Sequence, residues 1–180
     1  MDAVTFLTKE HEKAKALFDR IKATDDVNQR QQLTAQVIKE LRAHTKIEEE
    51  VLYPLVREDL KGGSKMFEEA MQEHQEAKEA MKELESMSPT DPEWMDKFDI
   101  LMHGVLHHAG EEETEMFPML QELLSEQRLN ELGEQLEADE RGLLVIDLSK
   151  DELLAQAKAA DIDGRSKMDK AELEEALGHR

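Results

Sequence analysis

The sequence predicts an all-α protein: an up-down-up-down four-helix bundle with a small helical C-terminal appendage. Residues that favour helices dominate the 180-residue chain, which contains only four prolines and eight glycines. No stretch alternates apolar and polar residues with the period of two that marks a strand. Long segments instead carry apolar residues at helical spacing and are joined by short polar links, which is typical of antiparallel helix bundles.

The four bundle helices are expected at residues 3–23, 28–59, 64–87 and 92–124. The turns between them are expected at a Thr-Asp-Asp cluster (residues 24–26), at Gly62-Gly63 and at SPTDPEW (residues 88–94). Ser64 is expected to cap the third helix. Pro54 is expected to kink the second, because proline removes an intrahelical hydrogen bond and crowds the preceding turn.

The chain is expected to divide into a bundle (1–125), a connecting helix with an apolar link (126–147) and a module at 148–180. That module resembles the helix-extended-loop-helix segments of Rho N-terminal and SAP-like domains. Asp161, Asp163 and Glu172 invite an EF-hand interpretation, but Gly164 stands at loop position four rather than six, so we reject a calcium site. The module is slightly acidic, which makes a protein partner or simple packing at least as good an interpretation as nucleic acid.

Composition excludes several classes of function. Cysteine is absent, so disulfides, thiol catalysis, iron-sulfur clusters and thiolate-bound zinc are excluded. The 43 acidic against 23 basic residues give a formal charge of −20, which repels nucleic acid and anionic lipid. The N-terminus lacks the features of a signal peptide and no 18 apolar residues run together, so we expect a soluble, cytoplasmic protein without a nucleic-acid or membrane partner.

One motif occurs twice: HTKIEEEVLYP at residues 44–54 returns as HHAGEEETEMFP at residues 107–118. An offset of 64 residues superposes the terminal Tyr-Pro and Phe-Pro pairs, and this register makes two equivalent His-x-x-x-Glu pairs: His44 with Glu48, and His108 with Glu112. Within each pair the side chains are about one helical turn apart and can reach the same ion. His107 then falls off the inward face.

The repeat extends upstream, where residues 9–21 match residues 72–84 at an offset of 63 and pair His11 with His74. Each half thus carries a lone histidine and then a His-x-x-x-Glu pair. The chain between them is long enough to finish one helix, turn, and return along the next helix to the same level. Six side chains are therefore expected to meet at one level of the bundle: His11, His44, Glu48, His74, His108 and Glu112.

A metal site explains this repeat better than structural burial does. A single histidine on an apolar helical face is usually a core residue, and a glutamate four residues after a histidine is common on solvated helices. Here, however, six groups recur in two matching copies, and buried carboxylates are strongly destabilising unless a cation compensates them. Imidazole and carboxylate ligands suit iron, manganese or zinc.

In this order, the lone histidines and the His-x-x-x-Glu pairs that end in Tyr-Pro and Phe-Pro resemble the hemerythrin-like HHE cation-binding domains, over about residues 1–125. The resemblance implies a centre of two iron ions joined by an oxo or hydroxo bridge. It also implies that the four histidines are terminal ligands and that Glu48 and Glu112 are bridging carboxylates.

The chain departs from the oxygen-carrying hemerythrins, which have a fifth histidine and a His-x-x-x-x-Asp pair. No second histidine lies near His74 in the third helix, and Glu112 lies four residues after its histidine, not five. The pattern instead resembles the four-His, two-Glu branch. That branch is associated with reactions with oxygen or peroxide, with nitric-oxide and iron stress, or with iron sensing.

Two classes of function fit this resemblance. In the first, a di-iron protein binds or turns over a small oxidant (oxygen, hydrogen peroxide or nitric oxide) at an open coordination position, with catalase- or peroxidase-like activity if it is an enzyme. In the second, a non-enzymatic iron or oxygen sensor, or an iron store, has its metal state read by a protein partner through the tail. A zinc hydrolase ranks third, since no activated nucleophile is visible.

Several residues near the six are candidates for lesser roles. Glu10 and Glu73 each precede a lone histidine and could orient ligands. His103 and His107, one turn apart, could form a weak surface site but are better interpreted as a solvated pair. His179 has no evident role. Four further glutamates are expected to face solvent: Glu49, Glu50, Glu111 and Glu113.

Overall fold

The structure is a computed structural model that describes residues 1–146, 153–154, 162 and 168–176. The chain forms two compact units, Met1–Leu136 and Glu137–Arg180. All regular structure within the described residues is helical, so the predicted all-α class is confirmed. None of the helices in these ranges combines the length and the apolar character needed to cross a membrane.

The helices of the bundle and its extension are α1 Ala3–Ala23, α2 Val27–Ile47, α3 Tyr53–Asp59, α4 Gly63–Ser86, α5 Trp94–Glu111, α6 Phe117–Leu123 and α7 Glu126–Ile146. Helix α1 packs against α2 and α5, and α4 packs against α2, α3 and α5. Short turns join these helices, so neighbours in the chain run antiparallel, as the predicted bundle requires.

One end of the bundle is filled by an apolar core in which aromatic rings are closely packed. Trp94 stacks on Phe98 with ring centroids 5.3 Å apart, and Phe98 meets Phe18 edge-on at 5.7 Å. Aliphatic side chains from α1, α2, α4 and α5 complete this core. Such packing holds the four helices in fixed register at the level above it, where the histidines lie.

Caps and glycines set the helix ends. Asp2 accepts a hydrogen bond from the Thr5 backbone N–H at 3.0 Å, and Asp26 caps α2 in the same manner. The expected cap at Ser64 is wrong: α4 begins at Gly63, and Gly62 before it has φ +79° and makes no side-chain cap. A Cβ at Gly63 would overlap the carbonyl oxygen of Val56, so glycine closes this hairpin.

The second and fourth helices are each interrupted by a π-helical turn, at Glu48–Leu52 and at Glu112–Met116. The backbone N–H of Tyr53 donates to the Glu48 carbonyl, five residues back, and Phe117 donates likewise to Glu112. A proline follows each π turn in the first positions of the next helix, where its missing N–H has no cost. The wider turn that begins at Glu48 thus ends just before Pro54, where the kink is expected.

Helix α7 approaches the N-terminus closely. Leu129, Leu132 and Leu136 are buried, and a Cβ at Gly133 would overlap the backbone at Met1–Ala3. The predicted helix after residue 125 is present, and only glycine at position 133 permits this approach.

In the second unit, the helix Lys170–Ala176 starts with a capping box. The Glu172 backbone N–H donates to Asp169 Oδ1 at 2.9 Å, and the Asp169 N–H donates to Glu172 Oε2 at 2.7 Å. Glu172 thus caps a helix. Asp161, Asp163 and Gly164, with most of the proposed helix-extended-loop-helix module, lie outside the described residues, so the Rho/SAP resemblance stays a prediction.

Candidate metal centre

Four helices and both π turns bring the six predicted side chains to one level. His11, His44, His74 and His108 project from α1, α2, α4 and α5, and Glu48 and Glu112 are the first residues of the two π turns. None of the six is more than 8% exposed. The structure therefore places all six inside the bundle, as the repeat predicts.

Each glutamate faces two histidines on different sides of the cluster. Glu48 Oε1 lies 3.2 Å from His44 Nε2, and its Oε2 lies 3.5 Å from His74 Nε2. Glu112 mirrors this arrangement with Oε2 at 3.3 Å from His11 Nε2 and Oε1 at 3.8 Å from His108 Nε2. One oxygen of each carboxylate thus belongs to the His11/His44 side and the other to the His74/His108 side.

Two overlapping groups of donor atoms follow from this arrangement. The first comprises His11, His44, Glu48 and Glu112, and the second comprises Glu48, His74 and His108. Within each group one ligand atom per residue lies within 4.8 Å of the others. Both groups offer only imidazole nitrogen and carboxylate oxygen, a set that suits iron, manganese or zinc.

The electrostatics of the cluster fit a bound cation. Neither carboxylate oxygen of Glu48 has a hydrogen-bond partner, nor do His11 Nε2 and Glu112 Oε2. Burial and the nearby Glu112 raise the pKa of Glu48 well above its ordinary range. Burial and the adjacent His11 lower the pKa of His44, which keeps that imidazole in the neutral, ligand form. Cations at these positions would satisfy the buried atoms and compensate the carboxylates.

Tyr53, which aligns with Phe117 in the repeat, is a further polar group of the cluster. Its hydroxyl lies 3.1 Å from His74 Nε2 and 3.0 Å from His108 Nε2, and it donates to Glu112 Oε1 at 3.0 Å. Burial and Glu48 raise the pKa of the phenol, which therefore acts as a donor. The available signal was that the repeat places a phenylalanine where this half has a tyrosine.

Two of the histidine rings are held by hydrogen bonds to glutamates outside the six. Glu113 lies 2.8 Å from Nδ1 of His11, and Glu49 lies 2.9 Å from Nδ1 of His74. Glu113 is exposed, as expected, and still reaches His11, whereas the expectation that Glu49 faces solvent is wrong because its side chain is only 19% exposed. Lys78 also donates two hydrogen bonds to Glu49, at 2.6 and 2.8 Å. Carboxylates in these positions orient metal-binding rings and raise their basicity.

The predicted orienting pair, Glu10 and Glu73, is asymmetric. Glu73 Oε2 lies 2.7 Å from His108 Nδ1, whereas the equivalent Glu10 lies beside Lys13 at 3.4 Å. His44 Nδ1 is buried and has no hydrogen-bond partner. Glu10 and His44 nevertheless line the same cavity.

His107 is grouped with two glutamates rather than with His103, the partner that the sequence predicts. His107 Nε2 lies 3.3 Å from Glu111 and 3.8 Å from Glu73, while His103 is exposed and belongs to none of the donor groups found among the described residues. His179 lies outside the described residues. Glu50 and Glu111 are exposed, as expected.

Fold and site together define a metal-binding helical bundle, and comparison with known proteins gives its family. Residues 2–120 match the hemerythrin HHE cation binding domain. The chain therefore belongs to the hemerythrin HHE cation-binding domain family, whose domains bind metal cations.

Relatives with similar sequences span more than this chain does. An uncharacterized hemerythrin-like protein from Schizosaccharomyces pombe is 32% identical over 120 residues, which are 66% of this chain and 59% of that protein. A DNA nickase from Nostoc sp. is 29% identical over 138 residues, 77% of this chain and 39% of that protein. The chain thus spans about two fifths to three fifths of the length of these curated relatives.

A solved structure shares the fold. The crystal structure of a hemerythrin HHE cation binding domain-containing protein from Mycobacterium kansasii superposes with a TM-score of 0.71 at 24% identity. The match covers 98% of this chain and 99% of that one.

Proposed function

We propose that this protein is a non-haem di-iron protein that binds or reacts with a small oxidant (oxygen, hydrogen peroxide or nitric oxide) in an oxidative or iron-stress role. One observation carries the proposal: Glu48 and Glu112 each direct one oxygen to each histidine pair, at 3.2 to 3.8 Å. Carboxylates that face two groups of imidazoles are suited to bridging two cations.

Charge favours this arrangement. Two ferric ions a few ångström apart repel each other strongly in a low-dielectric interior, and anionic bridges relieve that repulsion as neutral imidazoles cannot. His11 and His44 would hold one ion, and His74 and His108 the other. Iron supplies, when bound, the redox chemistry and the open coordination position that a small oxidant requires.

A cavity beside the histidines supports a small, weakly polar reactant. It has about 30 Å³ of space and is lined by the four histidines, by apolar side chains, and by Glu10, Glu40, Glu73 and Thr45. Those apolar residues are Ala14, Leu41, Ala77, Met81, Val105, Leu106 and Ala109. They exclude most water, while the Tyr53 hydroxyl holds a proton at Glu112 Oε1.

The names of the relatives do not extend this proposal. The Nostoc protein is a DNA nickase, but this chain spans only 39% of it. The formal charge of −20 also opposes contact with a polyanion. We therefore do not carry DNA cleavage over to this chain.

The test is to load anaerobically purified protein with ferrous iron, count the metal and record the optical spectrum before and after adding oxygen or peroxide. We expect about two irons per chain and a spectral change with oxidant. The double variant His44→Ala, His108→Ala should lose most iron, and His103→Ala, on the exposed face of α5, is the matched control. Two irons retained in the double variant, or no iron in the wild type, would overturn the proposal.

A sensor or iron store is the second candidate, because cation loss would leave the buried Glu48 without compensation and destabilise the bundle. A protein partner would then read the metal state. Peroxide consumption by the loaded protein favours the reactive centre. Metal-dependent melting of the helices without consumption of any of the three oxidants favours the sensor or store.

A further inference from the structure

A third donor group lies at the surface beside the buried centre and consists of Glu73 from α4 with His107 and Glu111 from α5. We propose that this group, here called the entry site, captures a divalent cation from solvent and passes it along an acidic groove between α4 and α5 to the buried histidines. The inference rests on the proposed function only in requiring that the buried centre binds metal.

The entry site has the geometry and the exposure of a transient site. His107 Nε2 lies 3.3 Å from Glu111 Oε1 and 3.8 Å from Glu73 Oε1. The His107 side chain is 66% exposed, against 24% for Glu73. A cation can therefore reach these three donors directly from water, and incomplete protein coordination leaves it free to move on.

Glu73 connects the entry site to the buried centre. Its Oε1 faces His107, whereas its Oε2 lies 2.7 Å from Nδ1 of His108. One carboxylate thus contacts both the surface donor group and a histidine of the buried cluster. A cation at Glu73 is already next to the side chains that would hold it finally.

The groove beyond Glu73 is acidic and ends at a buried donor. It has about 40 Å³ of space and is lined by Glu69, Glu73, Glu111, Glu112 and Glu115, with His108, Ala70 and two methionines. Glu112, one of these lining residues, is only 2% exposed, and its Oε1 lies 3.8 Å from Nε2 of His108. Glu69 is paired with Lys65 at 2.8 Å. Carboxylates that converge on a buried oxygen attract and direct cations.

The internal repeat does not by itself account for the entry site. At the offset of 64 residues, His107 corresponds to Ala43 and Glu111 to Ile47. Both of these residues are apolar and buried. The entry site is therefore an addition to one half of a duplicated bundle, which is expected of a route that needs only one opening.

The loading rate tests the inference. Metal-free protein is mixed with Co²⁺ at low ionic strength, and the cobalt absorption of the buried centre is followed in time. In the wild type the rate should saturate with Co²⁺ concentration, because capture precedes transfer. In His107→Ala and in His107→Ala, Glu111→Gln the rate should fall about tenfold or more and lose its saturation, while the final amount of bound cobalt stays the same. His103→Ala, one turn away on the same face, is the matched control.

Each outcome is decisive. Variants that load at the wild-type rate, or a His103→Ala control slowed as much as His107→Ala, would overturn the entry site while leaving the buried centre intact. A wild type that never binds cobalt at the buried centre would instead overturn the metal centre itself. Raising the salt concentration should slow wild-type loading more than loading of the double variant, because salt screens the groove.

Discussion

The hydroxyl oxygen of Tyr53 lies 3.0 Å from Nε2 of His108, whereas the repeat-equivalent Phe117 stacks its ring on His11 with centroids 5.9 Å apart. The two halves of the bundle thus supply matching histidines and glutamates but unlike aromatic groups. Among the residues that the structure describes, only the His74/His108 side has a hydroxyl within hydrogen-bond distance of its histidine Nε2 atoms. The His11/His44 side and the His74/His108 side of the cluster are therefore chemically distinct.

Tyr53→Phe should distinguish the two positions. The ring stays and the bundle should fold, but the donor to Glu112 Oε1 is lost. We expect about tenfold weaker metal binding on the His74/His108 side, as for loss of an outer partner, and little change on the other side. Stepwise metal titration followed by absorption checks this. Equal weakening of both binding steps would contradict a role on one side.

Neutralising a shared carboxylate should harm the pair of cations more than a single cation. We expect Glu48→Gln and Glu112→Gln to leave the helices folded but to weaken loading of the second metal by about tenfold or more. Circular dichroism and metal counts measure the two effects. Glu50→Gln is the control, since Glu50 is exposed in the same π turn as Glu48.

Glu49 and Glu113 should matter although neither faces the cations. Each holds Nδ1 of a histidine, at 2.9 Å for His74 and 2.8 Å for His11. We expect Glu49→Ala and Glu113→Ala to reduce metal affinity roughly 10- to 100-fold, the range for lost outer partners, with Glu50→Ala unaffected. Competition with a chelator of known affinity measures the metal affinity of each variant. Wild-type affinity in both variants would show that the rings need no outer carboxylate.

Metal binding should release protons. Burial and Glu112 raise the pKa of Glu48. The pKa of His11 is raised to about 9, because the attraction of Glu112 outweighs the effect of burial. His11 therefore carries a proton at neutral pH in the metal-free protein, and a metal must displace it. We expect about one proton from His11 to be released per chain at pH 7, as measured by indicator titration, and metal affinity that rises with pH. Affinity independent of pH between 6 and 8 would contradict this.

The stability of the metal-free bundle should fall as the pH rises, whereas metal affinity should rise. Because the folded-state pKa of His11 is raised from 6.5 to about 9, its contribution to stability is fully present below pH 6.5 and is lost as the pH rises through 9. The pKa of Glu48 is also raised, so this group changes the stability in the same direction. Thermal unfolding at pH 6.5 and 9 should give a lower Tm at the higher pH without metal. A Tm that rises over this window would contradict the assignment.

The sequence was sufficient for the fold class and for bringing the six side chains together, because both depend on periodicity and on the register of a repeat. Aligning the Tyr-Pro and Phe-Pro pairs puts His108, rather than His107, opposite His44, and the structure places His108 inside and His107 outside. Helical spacing predicts which histidine faces inward, since inward positions recur every three to four residues.

Features that depend on contacts between helices were missed. The π turns were not expected, because one additional residue per turn leaves the apolar pattern on either side readable as a single helix. A helix considered alone places Glu49 and Glu113 off the inward face, so it does not predict that either one contacts a histidine. Their contacts with His74 and His11 exist only once neighbouring helices are in position.

The π turns also bear on the mechanics of the bundle. At Glu48–Leu52 and Glu112–Met116 the backbone adopts wider, less common hydrogen-bonded rings at the level of the histidines. Cations bound there would link α1, α2, α4 and α5 where two of the helical backbones are least regular. Amide hydrogen exchange should therefore be fastest within these two turns in the metal-free protein and should slow there most on loading, so that metal controls local opening more than overall folding.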